Sequence, residues 1–332
     1  MAIFDDSVLR ADPGNVEIVN PVGRRKLKYV FHDIDGTHSL IRDWPPVMSI
    51  SVHYAMHCGL ADDFDSPAHL TELIEQTGKR KLEETDRFCV ESAGLSALTQ
   101  MEFGIRRAIE LGNLPDDPRL KLTDAQRAAN SEIIRRIWNG QERFDDIAEP
   151  PGLLEFIHER TPRLFMLYEA VLNGANRDRN TADARINPAR WRVKGSMEFM
   201  RHLGAIGLKN YFVTGAVIYK NGGMGEEVEA LGYEVGPGRL VEALEGSSWD
   251  KKLPKDEVMR ELCQRLHADP AEAMVIGDGR TEVRAGAIMG SVTISRLPLD
   301  AHRARQLHVE AGTNYILPDF THPSLMRMLT KE

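Results

Sequence analysis

The chain has 332 residues, 42% of them hydrophobic, and a formal net charge of -8, with a pI near 5.8. This length suits one large domain or two ordinary ones, and an acidic balance argues against a nucleic-acid binder, which needs a basic face for phosphates. No apolar run approaches the roughly 20 residues of a membrane span. The first 20 residues carry Asp5 and Asp6 and no unbroken apolar core, so they do not read as a signal peptide. Cys58, Cys89 and Cys263 are far apart in apolar contexts without metal-ligand spacing, as buried free thiols of a reducing compartment would be. The expected location is the cytoplasm.

Residues 1–26 read as an N-terminal arm, in which Val16–Val19 is expected to pair as a hairpin with the next strand, over 27–33. The apolar run Leu27–Phe31 leads into Asp33-Ile34-Asp35-Gly36-Thr37. Two carboxylates this close repel by roughly 4 kcal/mol at about 4 Å and an effective dielectric of ~20. A divalent cation or a protein cation beside them is the usual reason for such a pair.

A helical tract follows. Helices are predicted over about Val47–Cys58, from Ser66-Pro67 to Gly78, over about Phe88–Leu111 as one long helix, from the capping box Thr123/Gln126 to Gly140, and over Pro151–Leu172. None alternates with a strand, so residues 41–192 are expected to form a helical domain inserted into the rest. His53 and His57 have the spacing of a zinc pair but no third ligand is evident. Gly222-Gly223-Met224-Gly225 lacks the lysine of a phosphate-binding loop. The clusters Gly78-Lys79-Arg80-Lys81 and Arg177-Asp178-Arg179 read as solvated faces.

Strands and helices alternate in the last third. Apolar runs end at Thr214-Gly215 and Gly277-Asp278, two more lie at Val292–Ile294 and Tyr315–Leu317, and helices are expected over Val193–Gly204, Gly225–Leu231 and Pro254–His267. This pattern predicts an α/β fold, a doubly wound parallel sheet over residues 27–40 and 193–332. In such sheets ligands bind beyond the carboxyl ends of the strands, so Asp33, Asp35, Thr214 and Asp278 can converge although distant in sequence.

With these residues in place, the chain resembles the haloacid dehalogenase-like hydrolase superfamily, in the phosphatase branch whose large helical cap is inserted after the first motif. Asp33–Thr37 matches the first motif, Phe212–Gly215 the second, Lys252-Leu253-Pro254-Lys255-Asp256 the third, and Gly277–Glu282 the fourth. The resemblance implies a Rossmann-like core, Mg²⁺ as cofactor, and hydrolysis of a small phosphorylated metabolite through an aspartyl-phosphate. It implies Asp33 as nucleophile, Asp35 as general acid and base, Thr214 and Gly215 as phosphoryl-binding groups, and Lys252 as the neutralising cation, with Lys251 and Lys255 as alternatives. The metal would be held by the Asp33 side chain, the Asp35 backbone carbonyl and Asp278. Glu282 stands where the family's usual pattern has an aspartate. Arg42 and His38 are candidates for substrate contact. The cap would exclude water and select the leaving group. A phosphomutase would use the same residues, and a non-catalytic binding protein would have no need of the clustered acids.

On this reading Asp33→Asn abolishes turnover with the fold intact by circular dichroism, and Asp35→Asn is severely impaired. A well-folded Asp33→Asn enzyme at near-native rate would contradict the nucleophile.

Overall fold

The computed structural model describes residues 1–218, 223–247 and 253–332. These form two compact units: Met1–Arg42 with Asn180–Glu332, and Asp43–Arg179. The second is helical. Its helices are Trp44–His57, Pro67–Gln76, Glu83–Glu91, Ala97–Leu111, Asp124–Trp138 and Pro151–Leu172, followed by a short π-helical segment, Asn173–Arg177. The single helix expected over Phe88–Leu111 is two helices. Gly94 takes φ +92°, and Ser96 caps the second helix by accepting the Thr99 amide at 3.2 Å. The Thr123/Gln126 capping box forms as expected. His53 and His57 lie side by side on one helix, ring centroids 4.5 Å apart.

In the first unit, chain order gives strands β1 (Ala2–Asp5), β2 (Glu17–Ile18), β3 (Arg24–Leu27), β4 (Tyr29–His32), β5 (Lys209–Val217), β6 (Ala243–Ser247), β7 (Ala273–Gly277), β8 (Val292–Arg296), β9 (Tyr315–Leu317) and β10 (Leu329–Lys331). Seven build the main sheet in the order β2-β9-β8-β7-β4-β5-β6, parallel except for β2. β4 lies inside it and its neighbours β5 and β7 carry the chain in opposite directions, which makes the end of β4 the topological switch point.

Residues 1–26 are woven into this unit. β1 pairs with β3 and β10 in a three-stranded antiparallel sheet, and β2 pairs antiparallel with β9. The hairpin expected between Val16–Val19 and strand 27–33 does not form. Both edges of β4 are already taken, so the segment finds the open edge at β9. Residues 180–192 also belong here: the Asn180 side chain donates to the Ile41 carbonyl at 2.8 Å and Ala184 packs with Ile34 and Ile41.

Alternation along β4 divides its side chains between two cores. Val30 packs with Phe199 and Leu203 of helix Ser196–Ala205, and Phe31 packs with Val258, Met259 and Leu262 of helix Lys255–Leu266. Helix Arg280–Ile288 connects β7 to β8 and approaches the sheet through Gly286, where an added Cβ would stand 2.9 Å from Val275 and Thr293 side-chain atoms. Gly286→Ala is therefore expected to destabilise by about 1–3 kcal/mol through overpacking, as read from urea denaturation. Unchanged stability would mean that the helix stands further off the sheet.

Candidate active site

The acidic loop begins where β4 ends. Gly36 takes φ +74°, and a Cβ there would lie 1.9 Å from Asp278 Oδ2. Only glycine lets the loop backbone come this close to the carboxylate that follows β7. The Thr37 hydroxyl sits 3.3 Å from Asp33 Oδ2 and 3.4 Å from Asp278 Oδ1, so one proton serves both acids. Carboxylate oxygens of Asp33, Asp278 and Glu282 lie within 4.8 Å of one another.

Among the described residues, Lys255 is the cation paired with this cluster. It is buried in the first turn of its helix, and its ammonium donates to Asp33 Oδ1 at 2.8 Å and pairs with Glu282 Oε2 at 3.3 Å. Burial opposes its charge, but the nearby charges of Asp33, Glu282 and Asp278 hold it protonated well above the ordinary lysine range. Lys251 and Lys252, expected as candidates, lie outside the described residues. Glu282 is fully enclosed. Its Oε1 accepts the Gly279 amide at 2.7 Å, capping its own helix, while Oε2 faces the lysine. Gly277 makes room for it, since a Cβ there would meet Oε1 at 2.4 Å. Burial raises the Glu282 carboxyl, with Lys255 pulling the other way. Burial also lifts Asp278 well above its usual range, assisted by the charges of Asp33 and Glu282.

Asp35 points to the other side of the loop. Burial pushes its carboxyl up to about 7, against the lowering effect of Arg42. Its Oδ1 is buried without a hydrogen-bond partner, and the Arg42 guanidinium is 3.9 Å from Oδ2. Arg42 is itself buried and is gripped by the fully buried Glu227, Nε lying 2.9 and 3.0 Å from its two oxygens and Nη2 2.7 Å from Oε1. The residue expected at a substrate is thus engaged with two acids of this unit.

His38, also expected near substrate, is not offered to one. It is fully buried, stacked on Phe320 with ring centroids 5.0 Å apart. Its nitrogens lie 2.9 Å from His32 Nδ1 and 2.6 Å from the Ser196 hydroxyl. Proton accounting orders the chain. The Asn210 amide donates to two carbonyls, so its oxygen accepts from His32 Nε2. His32 Nδ1 then accepts from His38 Nε2, His38 Nδ1 accepts from Ser196, and Ser196 accepts from Tyr233. Both rings are neutral in this scheme, in keeping with burial, which drives His32 down to about 4 and His38 well below the usual histidine range. The two rings close the base of the loop between them.

Thr214 is buried two residues beyond the Phe212–His32 pair of β5 and β4, alongside the acidic loop, and its hydroxyl oxygen accepts the Ala216 amide at 3.1 Å. Gly215 follows it, and the strand runs on to Val217 rather than ending at Thr214 as expected. Residues invisible as site components in the sequence are Glu227, whose signal is only a glutamate on an apolar helix face, and Arg296, a strand-end arginine whose Nη1 donates to the Gly36 carbonyl at 2.9 Å.

The donor set fits a hard divalent cation. Three carboxylates crowd together, two of them on the Lys255 ammonium, and one Asp35 oxygen is buried without a hydrogen-bond partner. Without metal, the raised carboxyl of Asp35 has a sign for stability. Its folded value, about 7, exceeds the unfolded value near 3.9. Between roughly pH 4 and 7 the folded state keeps a proton that the unfolded state releases, so stability falls as pH rises through that window. In chelator, wild type should lose stability from pH 4.5 to 7.5 more steeply than Asp35→Asn in urea titrations. Parallel curves would refute the assignment.

No protein-family model matches the chain, and no curated protein matches it. Solved structures resemble it at low identity. A phosphonoacetaldehyde hydrolase-like protein from Oleispira antarctica is 15% identical over 95% of this chain and 94% of its own, with a TM-score of 0.45. A beta-phosphoglucomutase from Clostridium difficile is 10% identical over 89% and 92%, with a TM-score of 0.43. A hydrolase from Pseudomonas syringae is 13% identical over 88% and 94%, with a TM-score of 0.40. Likeness of this degree assigns nothing to individual residues. The acidic loop after β4, the threonine on β5, the buried lysine and the Gly277-Asp278 loop after β7 follow one another along a single parallel sheet, in the order in which the sequence resembles the motifs of the haloacid dehalogenase-like hydrolases.

Proposed function

We propose that this protein is a Mg²⁺-dependent phosphatase that hydrolyses a small phosphorylated metabolite through an aspartyl-phosphate on Asp33. The observation that carries the reading is the buried Asp33 carboxylate with the Lys255 ammonium at 2.8 Å and two further acids against it. Magnesium, held by Asp33, Asp278 and the Asp35 backbone, would supply charge neutralisation for the phosphoryl oxygens.

The residues divide the remaining work. The carboxylate of Asp33 attacks phosphorus, forming an O–P bond as the bond to the alcohol oxygen breaks. Asp35, whose carboxyl titrates near 7, gives its proton to the departing alkoxide. As carboxylate it then takes a proton from the water that attacks the phosphoenzyme, which releases phosphate and restores Asp33. Lys255 fixes one Asp33 oxygen and balances the charge of the phosphoryl group. Thr214 and Gly215 are assigned to the phosphoryl oxygens. A mutase would return the phosphoryl group to a bound alcohol instead of water.

The test is a panel of sugar phosphates, polyol phosphates, nucleotides and phospho-acids, with and without Mg²⁺. Free phosphate is expected from at least one ester, with a loss of at least 100-fold in chelator. An isomerised ester without phosphate release would identify a mutase, and no turnover on any member would count against phosphoryl transfer. On the best ester Lys255→Met should lose about 10²- to 10³-fold in kcat and fall further than Lys252→Met. The reverse order would restore Lys252 as the site lysine.

A further inference from the structure

Arg296 ends β8, two strands from β4 across β7. Its guanidinium forks. Nη1 donates to the Gly36 carbonyl at 2.9 Å and Nε donates to the Pro318 carbonyl, just past β9, also at 2.9 Å. The side chain therefore spans the carboxyl end of the sheet from β9 to the loop after β4, across the position from which Asp278 rises. Burial lowers the guanidinium below the usual arginine range, with the charges of Asp278 and Asp319 opposing that shift. Most strand-end arginines keep the head group in water, whereas this one is half-buried and gives its N–H groups to backbone.

The carbonyl it holds belongs to the most constrained residue of the site. Gly36 has its N–H on the Ser39 carbonyl at 2.9 Å, its Cα against the Asp278 carboxylate and a left-handed φ. With Arg296 on its oxygen, both polar groups of Gly36 are fixed, so the spacing between the Asp33–Asp35 loop and Asp278 is set from both sides. A lysine could reach one carbonyl but could not form the fork.

We propose that Arg296 is a positioning residue of the catalytic loop: by bracketing the Gly36 and Pro318 carbonyls it sets the distance between the Asp33–Asp35 pair and Asp278. The proposal rests on the phosphatase reading for its kinetic consequence only. A displacement of about 1 Å in such a loop can lower turnover by up to ~10²-fold without altering ground-state binding.

Full-length wild type, Arg296→Gln and Arg296→Lys are compared by hydrogen exchange and by kinetics on the best ester of the panel. For Arg296→Gln, amides of 36–39 should exchange at least tenfold faster, while those of 273–277 keep the wild-type rate. Its kcat should fall about 10- to 100-fold with KM within threefold, and Arg296→Lys should recover part of both effects. Wild-type exchange over 36–39 in Arg296→Gln would overturn the proposal. So would an unchanged kcat, or a loss that comes with faster exchange throughout β7 and β8, which would mark a merely structural role. If wild type turns over no ester, the phosphatase reading falls, and the exchange measurement still decides whether Arg296 holds the loop.

Discussion

The buried ion pair between Lys255 and Asp33 is the interaction on which the site depends. Asp33, Asp278 and Glu282 meet where water is largely excluded, and unscreened carboxylates at such spacing repel strongly. The ammonium lies 2.8 Å from one of these acids and 3.3 Å from another. It does not neutralise the whole group. Burial, with the charges of the neighbouring acids, raises the carboxyls of Asp278 and Glu282, and one Asp35 oxygen is buried without a hydrogen-bond partner. Carboxylates clustered in this way could be bridged by a divalent cation.

The carboxylates are differentiated by their surroundings. Asp33 has a lysine on one oxygen and a threonine hydroxyl near the other, which fixes the direction of its side chain. Asp35 has no such donor, and Arg42, itself occupied by Glu227, approaches it only to 3.9 Å. Two acids separated by one residue thus sit in different surroundings, as the proposed roles of nucleophile and proton carrier would require. Glu282 serves the same end indirectly. It caps its own helix through the Gly279 amide and offers its second oxygen to Lys255, tying the start of one helix to the lysine of another.

Beneath the loop the protein uses a buried polar chain rather than an apolar plug. His32 and His38 flank the five residues of the motif and bond to each other, and Asn210, Ser196 and Tyr233 complete the donor and acceptor accounting. A chain with every member satisfied is rigid, while one unsatisfied member would cost more than the apolar alternative. Together with Arg296 above, this gives the loop a fixed base and a fixed crest.

How much was legible from the sequence followed from the range of the physics. The acidic loop, the parallel alternating core, the helical insertion, the capping box at Thr123, the strand that carries Thr214 and the strand-end position of Asp278 are local signals: turn chemistry, period and capping, each contained within a few residues. The break at Gly94 carried a similar signal, a glycine followed by a capping serine, and was outweighed by the apolar period on either side. Other features lay beyond any local signal. Val16–Val19 could be paired only by knowing that β4 had no free edge. His38 and Arg42 stand close to the motif in sequence, yet their side chains are committed to His32, Ser196 and Glu227, partners that only the folded chain brings near. Glu227 and Arg296 are residues of ordinary type, 185 and 260 positions from the groups they hold. The sequence determined which chemistry was available and which strand ends would carry it, because those are matters of residue type and short-range geometry. Tertiary structure alone decided that Lys255 meets Asp33, which histidines are sealed away and which arginine grips the loop, because such pairings are set by strand order and packing across hundreds of residues.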